Sequence, residues 1–378
     1  MEGSFSAGKT YIIAEIGTAH GGDISAAAAL VESAARCGAD CAKFQLVYAD
    51  EILHPATGTV PLPGGDIPLY ERFKQLERDA DFYAELKRRC EQQGIDFLCT
   101  PFGTKSTAIL ADLAVSRIKI ASPELNHIPL LHAVGRTGIP VIISTGVSLL
   151  ADIETAVRLF MNEYAYPPEK ISLLHCITAY PAPEEEYNLR LISNLKNMFG
   201  LRTGVSDHSL HPFLVPALSM AAGGSIIEKH FTANRSGGGL DDPIALDPQG
   251  FSRMVETVRS VEDMKAEEAL EAVGALVRKE EGEDPAARID AVLGSGVKRL
   301  AVSEAGNYRG TRRSVLARTE LAAGTVLTTE NTGIYRSEKH LKPGLEPAYY
   351  SLILGRALCR NVPAGNGIQW EDLLKSPL

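Results

Sequence analysis

Eight times within its first 265 residues the chain passes through a short β-rich apolar run, ends it on a polar or glycine-containing tip, and follows it with an amphipathic stretch of helical period. The runs are YIIAEIG (11–17), CAKFQLV (41–47), DFLCTP (96–101), RIKIAS (117–122), PVIIST (140–145), ISLLHC (171–176), RTGVSD (202–207) and SIIEKHF (225–231). Between them, SAAAALVESAARCG, DFYAELKRRCEQQG and DIETAVRLFMNEY have helical spacing, and Gly38 and Gly94 stop the first two. Eight βα units in that length match the size of a (β/α)8 barrel, whereas doubly wound sheets carry fewer strands in one layer. In a closed parallel barrel all carboxyl-terminal strand ends face one way, so polar residues there converge on one pocket. Here those residues are Glu15, Lys43, Gln45, Thr100, Lys119, Ser122, Ser144, Asp207, His208, Glu228 and His230.

The pattern changes after about residue 262, where Glu, Lys, Arg and Ala dominate without strand periodicity. That stretch reads as the eighth barrel helix, then a charged helical connection, then a solvated linker ending at SEAGNYRG. From Thr311 onward, short apolar runs broken by Gly and Pro turns predict a small, mostly β module. The expected division is therefore a barrel over 1–280, a charged linker over 281–310 and the small module over 311–378.

A net charge of −9 excludes a broad nucleic-acid surface but not a small anionic substrate, which needs only a few local cations. The six cysteines (Cys37, Cys41, Cys90, Cys99, Cys176 and Cys359) lack zinc or redox spacing and read as reduced thiols. The start, MEGSFSAGKTYIIAEIG, has no basic region leading into an apolar run, and nothing later reaches membrane-spanning length. A cytoplasmic location without membrane contact is the expectation.

His208 and His230 close neighbouring strands. One histidine at such a place is more often a hydrogen-bonded pocket residue, but two adjacent imidazoles point to a divalent metal with open positions for water and substrate. Lys43 and Lys119 interrupt apolar runs, and a buried ammonium needs an anionic partner, a carboxylate such as Glu15 or a ligand. With Thr100, Ser122, Ser144 and Ser206 they form a set suited to phosphate. Hydroxyls alone prove nothing, since strand-end Ser and Thr commonly cap helices. Glu15, Glu124, Tyr180 and Asp241 could accept from sugar hydroxyls; salt bridges to neighbouring lysines explain the two glutamates equally well, and a solvated loop explains Asp241.

At these residues the chain resembles the sialic acid synthase family, which includes legionaminic, pseudaminic and spore-coat sugar synthases. The motifs stand in order as IIAEIG, HGGD, GADCAKFQ, CTPF, KIASPE, ISTG, LLHC with AYPAP, GVSDHS, and IEKHF with GLDDPIALDP. RRSVLA, ELAAGTVLT and GRALCRNVPAG resemble the antifreeze-like (SAF) module that closes these enzymes, so the likeness spans nearly the whole chain. It implies that His208 and His230 bind the metal, usually Mn with Mg or Co as substitutes. It implies that Lys43, Thr100, Lys119, Ser122, Ser144, Thr178 and Ser206 hold phosphoenolpyruvate. Glu15, Glu124, Tyr180, Asp241 and Arg312 or Arg313 are implied to contact an N-acyl amino sugar. Glu15 is also implied in catalysis with the two histidines. The family is commonly a domain-swapped homodimer, with the arginine coming from the partner chain.

The implied reaction condenses phosphoenolpyruvate with an N-acyl amino sugar such as N-acetylmannosamine and releases phosphate, making the chain a carbon–carbon bond-forming transferase. The competing readings are a synthase for a phosphorylated amino sugar and a non-catalytic carbohydrate-binding or assembly protein. Two positions depart from the family pattern: Ala19 precedes His20 where Asn is usual, and Thr178 stands where Asn is frequent. The 48–79 loop with LPGGDIPLYERFKQLE is also distinctive.

Overall fold

A computed structural model describes residues 9–62, 65–282 and 284–374. The first eight residues of the leading segment read above, and part of the LPGG stretch, lie outside them. Twelve strands occur among the described residues: β1 (Tyr11–Gly17), β2 (Cys41–Leu46), β3 (Thr59–Leu62), β4 (Gly65–Pro68), β5 (Asp96–Pro101), β6 (Ile118–Ile120), β7 (Val141–Ser144), β8 (Ile171–Cys176), β9 (Arg202–Asp207), β10 (Ile226–His230), β11 (Arg313–Ala317) and β12 (Thr332–Arg336). Eight of them close a parallel barrel in the order β1-β10-β9-β8-β7-β6-β5-β2, with β2 pairing back to β1. The expected (β/α)8 barrel is the observed fold.

Strand alternation divides the barrel into two chemical zones. One face of each strand supplies the large core between sheet and helices, for example Ile12, Ala14, Phe44, Ile143 and Leu173. The other face points inward. There, Ile13, Cys41, Leu98, Ile142, Leu174 and Ile226 form a separate, fully buried apolar plug.

Helices begin and end where local chemistry dictates. Asp23 caps Ile24–Arg36 by accepting from the Ala26 amide, and Asp79 does the same for Ala80–Gln93 through Phe82. Gly94, in the left-handed region, ends the latter. The helix that follows the last barrel strand is Pro248–Val261, capped by Asp247, and not the stretch beginning near 262. Glu268 accepts from the Lys265 amide and starts a further helix, Ala266–Glu281. No helix among the described residues is long and apolar enough to cross a membrane. The six cysteines are free, all but Cys359 buried.

The carboxyl-terminal module has its own core around Val315, Leu321, Leu327, Leu358 and Ile368. Regular pairing there is confined to the antiparallel β11–β12 ladder; elsewhere Gly and Pro turns leave isolated bridges such as Leu321–Val362 and Val326–Ala357. The connector is not solvated throughout. Lys298 donates to the Thr145 carbonyl at 2.9 Å, and Glu304 is fully buried, so this segment packs onto the barrel.

Candidate active site

The inward plug is roofed by a polar layer two positions further along each strand. Ile13 leads to Glu15, Cys41 to Lys43, Leu98 to Thr100, Ile142 to Ser144, Leu174 to Cys176 and Ile226 to Glu228. The apolar layer seals the barrel below, and the polar layer floors a cavity of about 360 Å³. Every phosphoenolpyruvate residue expected from the family likeness lines this cavity: Lys43, Thr100, Lys119, Ser122, Ser144, Thr178 and Ser206. So do Glu15, Tyr180, Asp241, His208 and His230.

Two ammonium groups and two carboxylates sit at its floor. Lys43 Nζ lies 2.6 Å from Glu15 Oε2 and 3.5 Å from Glu228 Oε1. Burial disfavours the charged lysine, but these two carboxylates outweigh it and hold Lys43 above its ordinary value. Lys119 is differently placed. It donates to Ser144 Oγ at 2.6 Å and to the Ile120 carbonyl at 3.2 Å, while Glu228 Oε2 stays 3.7 Å away. Burial therefore lowers its pKa, partly offset by Glu228. In the lining of the same cavity, Thr100 Oγ1, Thr178 Oγ1 and Glu228 Oε2 are buried without a hydrogen-bond partner. Buried polar atoms left open in one cavity with a weakly paired cation form a receptor for an anionic, hydrogen-bonding ligand.

Gly17 shows how tightly this floor is built. It ends β1 at φ +56°, where the register with β2 shifts, and a Cβ there would lie 3.2 Å from Gln45 Nε2 and 3.3 Å from Glu15 Oε1. Gln45 donates to Glu15 Oε1 at 2.8 Å and so completes the environment of that carboxylate. Burial raises the Glu15 pKa, Lys43 pulls it down, and Glu228 adds to the rise. Asp241, from the loop after β10, is raised to about 6 by burial and by Glu15.

His208 and His230 face each other with ring centroids 5.4 Å apart, and Tyr180 stacks on His208 at 4.3 Å. Nδ1 of His208 lies 2.7 Å from the Ile177 carbonyl, which can only accept, so Nδ1 carries a proton and Nε2 is the nitrogen left to face a metal. Burial, together with nearby His208 and Lys43, keeps His230 neutral. Burial lowers the His208 pKa, but Cys176 and the Ile177 carbonyl raise it and prevail, so a divalent metal of the borderline class, which these two imidazoles suit, would bind there with loss of a proton. No cluster of three or more His, Cys, Asp or Glu side chains suited to a metal occurs among the described residues, so such an ion would have two protein ligands and several open positions.

Three of the expected sugar contacts lie elsewhere. Glu124 does not line the cavity; it is fully buried and bonded to Arg313 and Arg336, because the 3-10 turn Ser122–Glu124 aims it at the second domain. Burial raises and the two guanidinium groups lower its pKa, the latter prevailing. Arg313 is also fully buried, and its donors are taken by Glu124 and by the carbonyls of Glu51, Ile52 and Phe102. Arg312 pairs with Asp152 at 2.9 Å and lies over the Tyr308 ring. Neither can reach a ligand without giving up these bonds. The arginine that lines the cavity is Arg336, joined there by Glu338 and Lys339.

Gln45, Glu228 and Arg336 are among the cavity residues to which the sequence alone gave no role. For Glu228 a signal existed: in IIEKH, alternation puts Glu228 and His230 on the same face, and Lys229 turns outward to Asp207 at 2.6 Å. Gln45 follows Lys43 by the same rule. For Arg336 no local signal distinguishes it from any other strand-end arginine.

Comparison with known proteins gives two family matches: the NeuB family over residues 30–269 and the SAF domain over 312–374. An uncharacterized protein of Methanocaldococcus jannaschii is 36% identical over 97% of this chain and 95% of its own length. The N,N'-diacetyllegionaminic acid synthase of Legionella pneumophila is 31% identical over 96% of this chain and 94% of its own. Among solved structures, the spore coat polysaccharide biosynthesis protein spsE of Bacillus subtilis superposes with a TM-score of 0.78 at 30% identity, covering 99% of this chain and 98% of that one.

Proposed function

The chain belongs to the NeuB family, and on that premise we propose that it is a nonulosonic acid synthase that joins phosphoenolpyruvate to an N-acyl amino sugar and releases phosphate. The observation that carries this reading is the convergence of Lys43, Lys119, His208 and His230, on or just past four barrel strands, on one cavity that also holds the unpartnered hydroxyls of Thr100 and Thr178. The relatives' names, synthases of legionaminic and pseudaminic acids and of N-acetylneuraminate 9-phosphate, support the product class.

In this reading Lys119, Ser144, Thr100, Thr178 and Ser206 hold the phosphate and carboxylate of phosphoenolpyruvate. Lys43 stays charged through Glu15 and Glu228 and presents its field to the same anion. The acceptor lies toward Tyr180, Asp241 and the mouth lined by Arg336. A divalent metal, Mn with Mg or Co as substitutes, would be held by His208 and His230 and would supply Lewis-acid polarisation of the aldehyde oxygen.

The methylene carbon of phosphoenolpyruvate bonds to the aldehyde carbon, and water adds its oxygen to the former enol carbon. One water proton goes to the former aldehyde oxygen. The second leaves with phosphate as the carbon–oxygen bond to it breaks and the new carbonyl forms. Glu15, whose pKa burial raises, is placed to take and return a proton within this sequence. The lysines stabilise the negative charge that gathers on the departing phosphate.

The test is phosphate release from phosphoenolpyruvate with Mn and a panel of N-acyl amino sugars, each offered free and phosphorylated. Turnover that needs both substrates is expected, and the preferred acceptor form fixes the product branch. His208→Ala should lose metal-dependent turnover by at least about a thousandfold. Binding without turnover would instead place the chain among carbohydrate-binding proteins.

A further inference from the structure

Glu304 comes from the connector, whose charged composition reads as solvated, yet its side chain is 1% exposed. One oxygen, Oε2, accepts from the Val147 amide at 2.8 Å and from the Thr178 amide at 2.9 Å. The other, Oε1, accepts from the Ala301 amide at 3.2 Å and secures the connector's own turn. Val147 follows β7 and Thr178 follows β8, so a single carboxylate joins two neighbouring barrel loops to the segment leading into the second domain.

Those loops carry donor-side groups of the cavity. Ser144 ends β7, and the Thr178 hydroxyl opens into the cavity. Between them, Gly146 donates to Ser122 Oγ at 2.9 Å, and a Cβ on Gly146 would collide with Thr178 Oγ1. Val147 adopts φ +39°, a region a β-branched residue enters only when surrounding bonds hold it there. Other connector residues reinforce the hold. Lys298 binds the Thr145 carbonyl, and Ser303 donates through its amide and hydroxyl to Glu186 on the loop after β8, at 2.9 Å and 2.7 Å.

We propose that Glu304 is a positioning residue for the donor side of the site. By holding the Val147 and Thr178 amides it keeps Ser144 and Thr178 in register with Lys119, and it thereby sets affinity for the phosphate-bearing substrate. Groups that recognise phosphate must be fixed to within about 0.5 Å, which loops alone do not provide. The inference rests on the reading that this cavity takes phosphoenolpyruvate; Glu304 itself touches no substrate.

The experiment is steady-state kinetics of full-length Glu304→Ala and Glu304→Gln with each substrate varied, alongside amide exchange over residues 144–149 and 176–180. Alanine should raise the KM for phosphoenolpyruvate about tenfold, leaving the acceptor KM within about twofold. Glutamine should fall between, because a neutral oxygen accepts the two amides more weakly. Both variants should exchange faster at Val147 and Thr178. A purely structural role would lower the melting temperature and kcat and leave both KM values unchanged; that result overturns the proposal. Should alanine not fold, glutamine decides: a donor KM raised at least about threefold supports it, and equal KM values overturn it. If wild-type protein releases no phosphate with any acceptor, the functional reading fails instead, and unchanged exchange in Glu304→Gln would then sink the clamp as well.

Discussion

Arg336 donates from Nη2 to Oε1 of Glu124 at 2.6 Å, across the boundary between the barrel and the carboxyl-terminal domain. The other oxygen of Glu124 accepts from Arg313 Nε at 2.7 Å, so one buried carboxylate bridges two guanidinium groups of the second domain. Removing its charge leaves two cations facing each other in a buried setting, which costs far more than the pair contributes relative to an apolar replacement. Glu124→Gln should therefore destabilise the protein by about 3–5 kcal/mol. Urea denaturation should show a lowered midpoint, with faster amide exchange in β11 and β12 than in the barrel strands. An unchanged midpoint would mean that the two domains are held by other contacts.

The two inward lysines should respond differently to the same substitution. Lys43 is bound to Glu15 at 2.6 Å, and its loss strands that carboxylate. Lys119 has no carboxylate within 3.5 Å, and Glu228 retains Lys43 and Ser206 without it. Lys43→Met is expected to lower stability by about 3 kcal/mol, whereas Lys119→Met should stay within about 1 kcal/mol of wild type. Both should lower kcat/KM for phosphoenolpyruvate at least about a hundredfold. A folded, stable Lys119→Met protein with normal donor kinetics would remove Lys119 from the site.

What the sequence made legible was local and periodic. Lys43 in CAKFQLV and Lys119 in RIKIAS break apolar runs, and alternation alone turns them inward; the same logic placed His208 and His230. What it left hidden depended on distance. Glu124 was visible as a strand-end carboxylate, but its partners lie 189 and 212 residues away, and no spacing rule reports them. Glu304 was hidden for a related reason. Charge-rich composition is the ordinary sign of a solvated face, and only the two barrel amides it meets make its burial tolerable.

Gly146 and Thr178 are coupled by space. A methyl group at 146 would collide with Thr178 Oγ1 and press to 3.0 Å from Ser122 Oγ. Gly146→Ala alone is expected to cost about 1–3 kcal/mol by overpacking. Thr178→Ala removes the colliding atom, so the double variant should be more stable than the sum of the two single changes by at least about 1 kcal/mol. The longer Thr178→Asn change, which restores the residue frequent in the family, meets the same crowding and should weaken donor binding. Additive stabilities in the cycle would show that the loops relax apart freely.

His20 turns a burial argument into a dependence on pH. Its ring is buried against Phe44 and Phe82, and Nδ1 accepts from the Gly22 amide at 2.9 Å. Burial, aided by Arg78, lowers its pKa from 6.5 to about 4. Above pH 6.5 the ring is neutral whether the chain is folded or not, and it adds no slope. As pH falls from 6.5 toward 4 the unfolded chain gains a proton that the folded one refuses, so stability drops by about 1.4 kcal/mol per pH unit, at most about 3 kcal/mol in total. Below about 4 both states are protonated and the slope ends. Buried His127 and His175, lowered to about 4 and about 3, act in the same direction, and carboxylates titrate over part of the range. Those contributions cancel in the difference between wild type and His20→Gln. Denaturation measured from pH 7.5 to 4 should therefore show wild type losing about 3 kcal/mol of stability relative to His20→Gln over the window. Parallel curves would mean that the folded protein accommodates a protonated His20, and that its surroundings open to water on acidification.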